Sequence, residues 1–329
     1  MKVHALPCAT GPGAWTHQYD GLRQLFESSE PRLHEWVDDP RDADLIFLTN
    51  AQQKSGQVLE KHPIPKLYPE KCFLLSEQWE PPFLMAGIYA NAPRTMLGRG
   101  RFRTGSYALH HPDFRNPFID RYDYAKESGQ RQPDLLASFL GRNCHPVREQ
   151  LFAMKFPSGK ILIQDTSDFD AFKHGSDGKT ERQRHYFELC LRSKFILCPR
   201  GAGPNSIRLF EALKLGIAPI IISDAWIPCE GPQWEKFALF VPEKDLVRLE
   251  SILKISEPLY EEWGELARQA HEKFFSQKAY FNYLVASASS ARSARIVPER
   301  VFISTWPVQR LWRRARGRSR RLVNVPLTA

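Results

Sequence analysis

Residues 194–226, KFILCPRGAGPNSIRLFEALKLGIAPIIISDAW, hold the side chains from which an anion site is built. An apolar strand runs into Pro199, Arg200, Gly201, Ala202, Gly203 and Pro204, after which Asn205 or Ser206 can cap a helix that ends near Gly216. Glycines at 201 and 203 let backbone N–H groups approach an oxyanion, and the helix N-terminus adds the positive end of its dipole. Arg200 supplies a full charge beside them. Arg208 and Glu211, three apart, project from one side of the helix, with Ile207, Phe210 and Leu213 expected toward the core. A carboxylate set back one turn from a phosphate can accept hydrogen bonds from a ribose diol while arginines neutralise a diphosphate, so the spacing suits a nucleotide. A common glycine-rich turn with an exposed ion pair of little energetic weight fits the same spacing.

Such a loop needs a parallel sheet behind it, and the chain supplies the strands. KVHALP (2–7), LIFLT (45–49) and KCFLLS (71–76) are apolar on both faces and separated by helical stretches such as YDGLRQLFES, which is the pattern of a sheet covered on both sides. Residues 85–123, rich in Pro, Gly, Arg and aromatics, read as a long irregular excursion. The linker-like AKESGQRQPD (125–134) marks a domain boundary. Beyond it the alternation restarts with LLASFL, ILIQD, KFILC, IAPIII and ALFVP, between helices at PVREQLFAM, TERQRHYFELCLRS and SIRLFEALKL. The expected fold is α/β, two Rossmann-like doubly wound domains over 1–130 and 131–290 facing a cleft, where ligands bind beyond the carboxyl ends of the strands.

Composition sets the outer limits. The 329 residues are 42% hydrophobic and 25% charged, which excludes a disordered or fibrous chain. No stretch approaches the roughly 18 apolar residues of a spanning helix, and Pro7, Thr10, Gly11 and Pro12 break any secretory signal. An unexported protein with its six cysteines as free thiols is expected, since they form no CxxC pair. The net charge of +9 is concentrated between Arg292 and Arg321, where ten arginines face one acid, Glu299. That distribution argues against a nucleic-acid groove in the body and for a basic C-terminal tail over 291–329.

The segment from Leu197 to Trp226, with its trailing Ser223 and Asp224, resembles the signature of the exostosin family of glycosyltransferases. DPRDADLIFLT (39–49) and SFLGRNCHPVREQL (138–151) are similar to that family's N-terminal strand entry and to the start of its donor domain. The resemblance implies a type B glycosyltransferase architecture, with a nucleotide-sugar donor, usually a uridine diphosphate (UDP) sugar, on the C-terminal domain and the acceptor on the N-terminal one. Transfer would invert the anomeric centre. By motif position Arg200, Ser206, Arg208 and Glu211 become donor-binding residues with Gly201, Gly203 and Asn205. Arg142 and Arg148 become candidates for the diphosphate, Arg148 alternatively being a packing or surface residue.

Inversion needs a general base, and departing diphosphate needs positive charge. Where the family often shows Ser-His-Asp-Trp-Gly, this chain has Ser76, Glu77, Gln78, Trp79 and Glu80. Glu77 or Glu80 follows a strand end in the acceptor domain, where a base belongs, although either can simply solvate a loop. Asp113 and His17 are weaker candidates. The Asp-x-Asp matches at Asp42/Asp44 and Asp168/Asp170 are of a kind that chance supplies, so metal-independent catalysis is expected, with no cofactor beyond the donor. Trp306, Leu311 and Trp312 among the tail arginines suggest a peripheral site on an anionic bilayer, as acceptors of many such enzymes are lipid-linked; a solvated tail competes with that reading. Lacking the N-terminal membrane helix usual in eukaryotic members, the chain is expected to be a bacterial-type cytoplasmic enzyme at the inner membrane face. Two readings from other classes stand beside the transferase: a non-catalytic partner subunit that has lost its base, and a polyanion-binding protein acting through the tail.

Overall fold

The structure is a computed structural model that describes residues 1–8, 16–50, 56–79, 81, 83–97, 100–109, 112–169 and 178–308. Strands β1 (Lys2–Pro7), β2 (Glu35–Trp36), β3 (Leu45–Thr49), β4 (Cys72–Ser76), β5 (Gly87–Tyr89) and β6 (Phe102–Thr104) form a six-stranded parallel sheet in the order β2-β1-β3-β4-β5-β6. Every residue of β3, β4, β5 and β6 is buried, as a sheet covered on both faces requires. The excursion at 85–123 is thus partly regular. It contributes β5 and β6, whose three residues each are too short to show a period, and Arg103 is buried inside one of them.

Strands β7 (Leu135–Gly141), β8 (Ile161–Asp165), β9 (Ser193–Pro199), β10 (Ala218–Ile222) and β11 (Leu239–Phe240) form a second parallel sheet in the order β11-β10-β9-β7-β8. The helices Pro146–Ala153, Lys179–Leu191 and Ile207–Leu215 join its strands in sequence. These are two doubly wound units, as the alternation in the sequence leads one to expect, and their strand-end loops meet directly. Pro93 and Trp226 form an antiparallel bridge, the Arg94 amide donates to the Ala225 carbonyl at 2.8 Å, and Lys214 pairs with Asp120 at 2.8 Å.

After the second sheet the chain returns to the first. The helix Tyr280–Ser293 packs on β5, β6 and the helix His17–Ser28, with Phe281 against Phe26 and the Tyr280 hydroxyl accepting a hydrogen bond from the Ser106 amide at 2.9 Å. Glu299, fully buried, accepts from the Ala86 amide at 2.9 Å and pairs with Arg101 at 2.5 Å and Arg295 at 3.7 Å. Trp306, 2% exposed, donates its indole N–H to the Leu84 carbonyl at 2.6 Å. This corrects the expected layout: residues 280–306, assigned from the sequence partly to the donor domain and partly to a basic tail, complete the first domain's core. Trp306 is therefore unavailable to a bilayer, and Arg295 is spent on Glu70 and Glu299. Leu311, Trp312 and the seven arginines beyond residue 308 lie outside the described residues. Among the described residues no helix is long and apolar enough to cross a membrane.

Candidate functional site

The residues expected to hold an anion converge at the carboxyl edge of the second sheet. The Arg200 amide donates to the Ile222 carbonyl at 2.9 Å and the Ser223 hydroxyl to the Pro204 carbonyl at 2.7 Å, so the loop after β10 holds the loop after β9. Ser206, with extended backbone at φ −133°, precedes the helix Ile207–Leu215, which Gly216 closes in the left-handed region at φ 66°. Arg208 turns back from that helix to the end of β7, where a Cβ on Gly141 would lie 2.8 Å from its Nη2. Its guanidinium stands over the rings of Phe139 and Tyr186, 4.9 and 5.9 Å from their centroids.

Three buried polar atoms here have no hydrogen-bond partner: Arg200 Nε, Ser206 Oγ and Arg208 Nε. Leaving such groups unsatisfied costs about 1–3 kcal/mol each, a cost that the oxygens of a bound anion would remove. The surroundings are positive. Burial, reinforced by the charge of Arg208, lowers Arg148 to about 10, and burial together with Arg200 lowers His145 below its ordinary value. A diphosphate is the kind of group that would satisfy these donors.

Arg148 does not join them. Its Nε donates to the Arg200 carbonyl at 2.8 Å, Nη1 to the Arg142 carbonyl at 3.0 Å and Nη2 to the Pro199 carbonyl at 3.1 Å, so its guanidinium ties the loops after β7 and β9 together. The packing alternative holds for this residue. Arg142, exposed in the first of those loops, is not among the residues lining the cavity between the domains. Asn205 serves the junction between the domains. Its Nδ2 donates to the carbonyls of Ala90 at 2.8 Å and Gly105 at 3.4 Å, and its Oδ1 accepts from the Ser206 amide at 2.8 Å. Gly203 is needed for a neighbouring reason, since a Cβ there would collide with Asn91 Oδ1. A Cβ on Gly201 would come within 3.1 Å of Arg148 Nη2.

Glu211 faces a cavity of about 1010 Å³ between the domains, with Ile207, Phe210 and Lys214 from the same helix. The core face of that helix is Leu209, Ala212, Leu213 and Leu215; Leu213 faces inward as expected, Phe210 packs against the core at Phe275 while also lining the cavity, and Ile207 lines the cavity instead. Glu211 Oε2 accepts from the Tyr186 hydroxyl at 2.7 Å. Burial raises its carboxyl above the ordinary value, against the opposing pull of Tyr186 and Arg208.

The opposite wall comes from the first domain and includes His17, Asp20, Tyr107, Leu109 and Asp113. The two weaker base candidates, His17 and Asp113, thus reach the cavity. Glu77 stands one layer behind, its Oε1 accepting from the Leu109 amide at 2.6 Å. Glu80 lies outside the described residues. Of the Asp-x-Asp pairs, Asp44 accepts from the Lys2 amide at the amino end of β3, away from the cavity. Asp168 is paired with Arg182 at 2.7 Å, and Asp170 is outside the described residues. Sequence reasoning missed Tyr186, Tyr107 and Asn91, whose roles are tertiary contacts with no local pattern.

Residues 99–255 match the family model of the exostosin GT47 domain. A probable glucuronosyltransferase of Oryza sativa subsp. japonica is 42% identical over 79 residues, 23% of this chain and 18% of that protein. A probable glucuronoxylan glucuronosyltransferase of Arabidopsis thaliana is 32% identical over 171 residues, 50% of this chain and 33% of that protein. The chain therefore spans a third or less of the length of these curated relatives. Among solved structures, Anabaena Alr3699/HepE in complex with UDP aligns with a TM-score of 0.38 at 10% identity, over 89% of this chain and 99% of that one. The family match takes in β9, the loop with its unpartnered arginine and the helix of Arg208 and Glu211.

Proposed function

We propose that the protein is an inverting glycosyltransferase that moves a sugar from a UDP-sugar to a glycan or lipid-linked saccharide. The observation that carries this reading is the set of unpartnered buried donors, Arg200 Nε, Ser206 Oγ and Arg208 Nε, at the strand-to-helix loop beside a carboxylate-bearing cavity. In this scheme Arg200 and Arg208 bind the diphosphate and stabilise its departure, and Glu211 accepts from the ribose diol. The acceptor enters from the first domain, where Asp113 or His17 takes its proton. The names of the plant relatives, glucuronosyl- and xylosyltransferases, support a sugar donor of this class.

Thermal shift with the diphosphates of uridine, guanosine and thymidine tests the donor: UDP is expected to raise the melting temperature most, and no shift with any of them overturns the reading. Turnover of a UDP-sugar is expected to persist in excess chelator, because two arginines supply the charge. Loss of turnover that manganese or magnesium restores would transfer that role to a metal.

A further inference from the structure

We propose that Asn91 is a positioning residue that couples occupancy of the donor loop to the acceptor wall of the cavity, an inference that rests on the donor-site reading above. Asn91 follows β5 and is 2% exposed. Its Oδ1 accepts from the Tyr107 hydroxyl at 3.0 Å and from the Asn205 amide at 3.3 Å, while Nδ2 donates to the Gln78 carbonyl at 3.0 Å. One side-chain amide therefore touches three loops: the donor loop at Asn205, the segment after β4 that carries Glu77, and the cavity wall at Tyr107.

Both first-domain branches lead to the same place. Tyr107 lines the cavity and lies two residues before Leu109, and Gln78 adjoins Glu77, whose carboxylate holds the Leu109 amide. Gly203 lets the donor loop come this close, since any Cβ would displace Asn91 Oδ1. A buried amide bonded in three directions is stiff, so a donor loop that tightens on a diphosphate must carry Asn91, and with it the Leu109 wall, or break hydrogen bonds to avoid doing so. The residue thereby reports to the acceptor side whether a donor is bound.

Amide hydrogen exchange with UDP as the probe tests this, alongside calorimetric UDP affinity. In the parent, UDP is expected to slow exchange at Leu109 by about tenfold, within the usual range of coupling between sites. Asn91→Ala should bind UDP within about threefold of the parent but show less than about twofold slowing at Leu109. Tyr107→Phe, which deletes one hydroxyl and preserves the ring, should behave alike, and it decides the matter should Asn91→Ala fail to fold. Undiminished slowing in the folded variants overturns the coupling, as does UDP binding by the parent with no change at Leu109; both leave the donor site standing. A parent that does not bind UDP removes the donor reading and the coupling together.

Discussion

Arg148 and Arg208 stand close enough for the charge of one to act on the other, yet they do opposite things. Arg148 has spent its guanidinium on three backbone carbonyls, whereas Arg208 keeps a buried Nε without a partner. Arg148→Ala is expected to cost about 3 kcal/mol or more of stability, seen as a lower urea midpoint, because the carbonyls it ties lose charged donors. Arg208→Ala should keep that midpoint and weaken UDP binding by about 1.5–3 kcal/mol by calorimetry. Matching effects on stability and binding in both variants would contradict the division. Glu211 adds a pH signature. Its carboxyl is raised above 4.5 by burial, so the folded state prefers it protonated, and the cost of its charge is absent in acid and appears as pH rises through the raised value. Glu211→Gln should therefore be more stable than the parent at neutral pH, lose that advantage in acid, and bind UDP more weakly at pH 7. A stability difference that does not change between acid and neutral pH would refute this. Spacing along the chain identifies the residue types at the site; it does not assign their hydrogen bonds, because Arg148 and Asn205 are committed by contacts more than 50 residues away.

At the level of elements, the long apolar strands are legible because burial on both faces imposes an unbroken hydrophobic run. LIFLT is β3 residue for residue, with all five side chains buried; ILIQD is β8 residue for residue but lies at the sheet edge, with Gln164 and Asp165 exposed. The strands GIY and FRT are not, since three residues show no period and glycine and arginine argue locally against a buried strand. The pattern places the helix Ile207–Leu215 correctly and puts Leu213 and Phe210 against the core, but it misses that Ile207 lines a cavity, because a sequence shows that a helix has an apolar face without showing that a second domain lines the other side. The junction of the two sheets depends on a close approach between the loop after β9 and the turn after β5. Gly203→Ala should cost about 1–3 kcal/mol by forcing Asn91 aside, with a fall in melting temperature as the readout. An unchanged melting temperature would show that the junction has slack.

For the molecule as a whole, the returning segment separates what the charge map merges. Trp306→Ala should cost about 3–5 kcal/mol in chemical denaturation, as the loss of a buried indole from a core. Deleting 309–329, which holds seven arginines and no acid, should leave stability and UDP binding intact while abolishing attachment to anionic vesicles, where each arginine can add about 1 kcal/mol. Full-length protein that ignores such vesicles at low salt would rule out the lipid contact. The same return of the chain also fixes an order of assembly during synthesis. The second sheet and the helices that cover it are built from one continuous stretch, so that domain can close once residue 270 has left the ribosome. The first sheet starts earlier yet stays incompletely covered until its late partners arrive, with Ala86 waiting for Glu299, 213 residues later, and Leu84 for Trp306, 222 later. The domain translated first is the last to finish, and through that interval its apolar strands are the surface that a chaperone must shield.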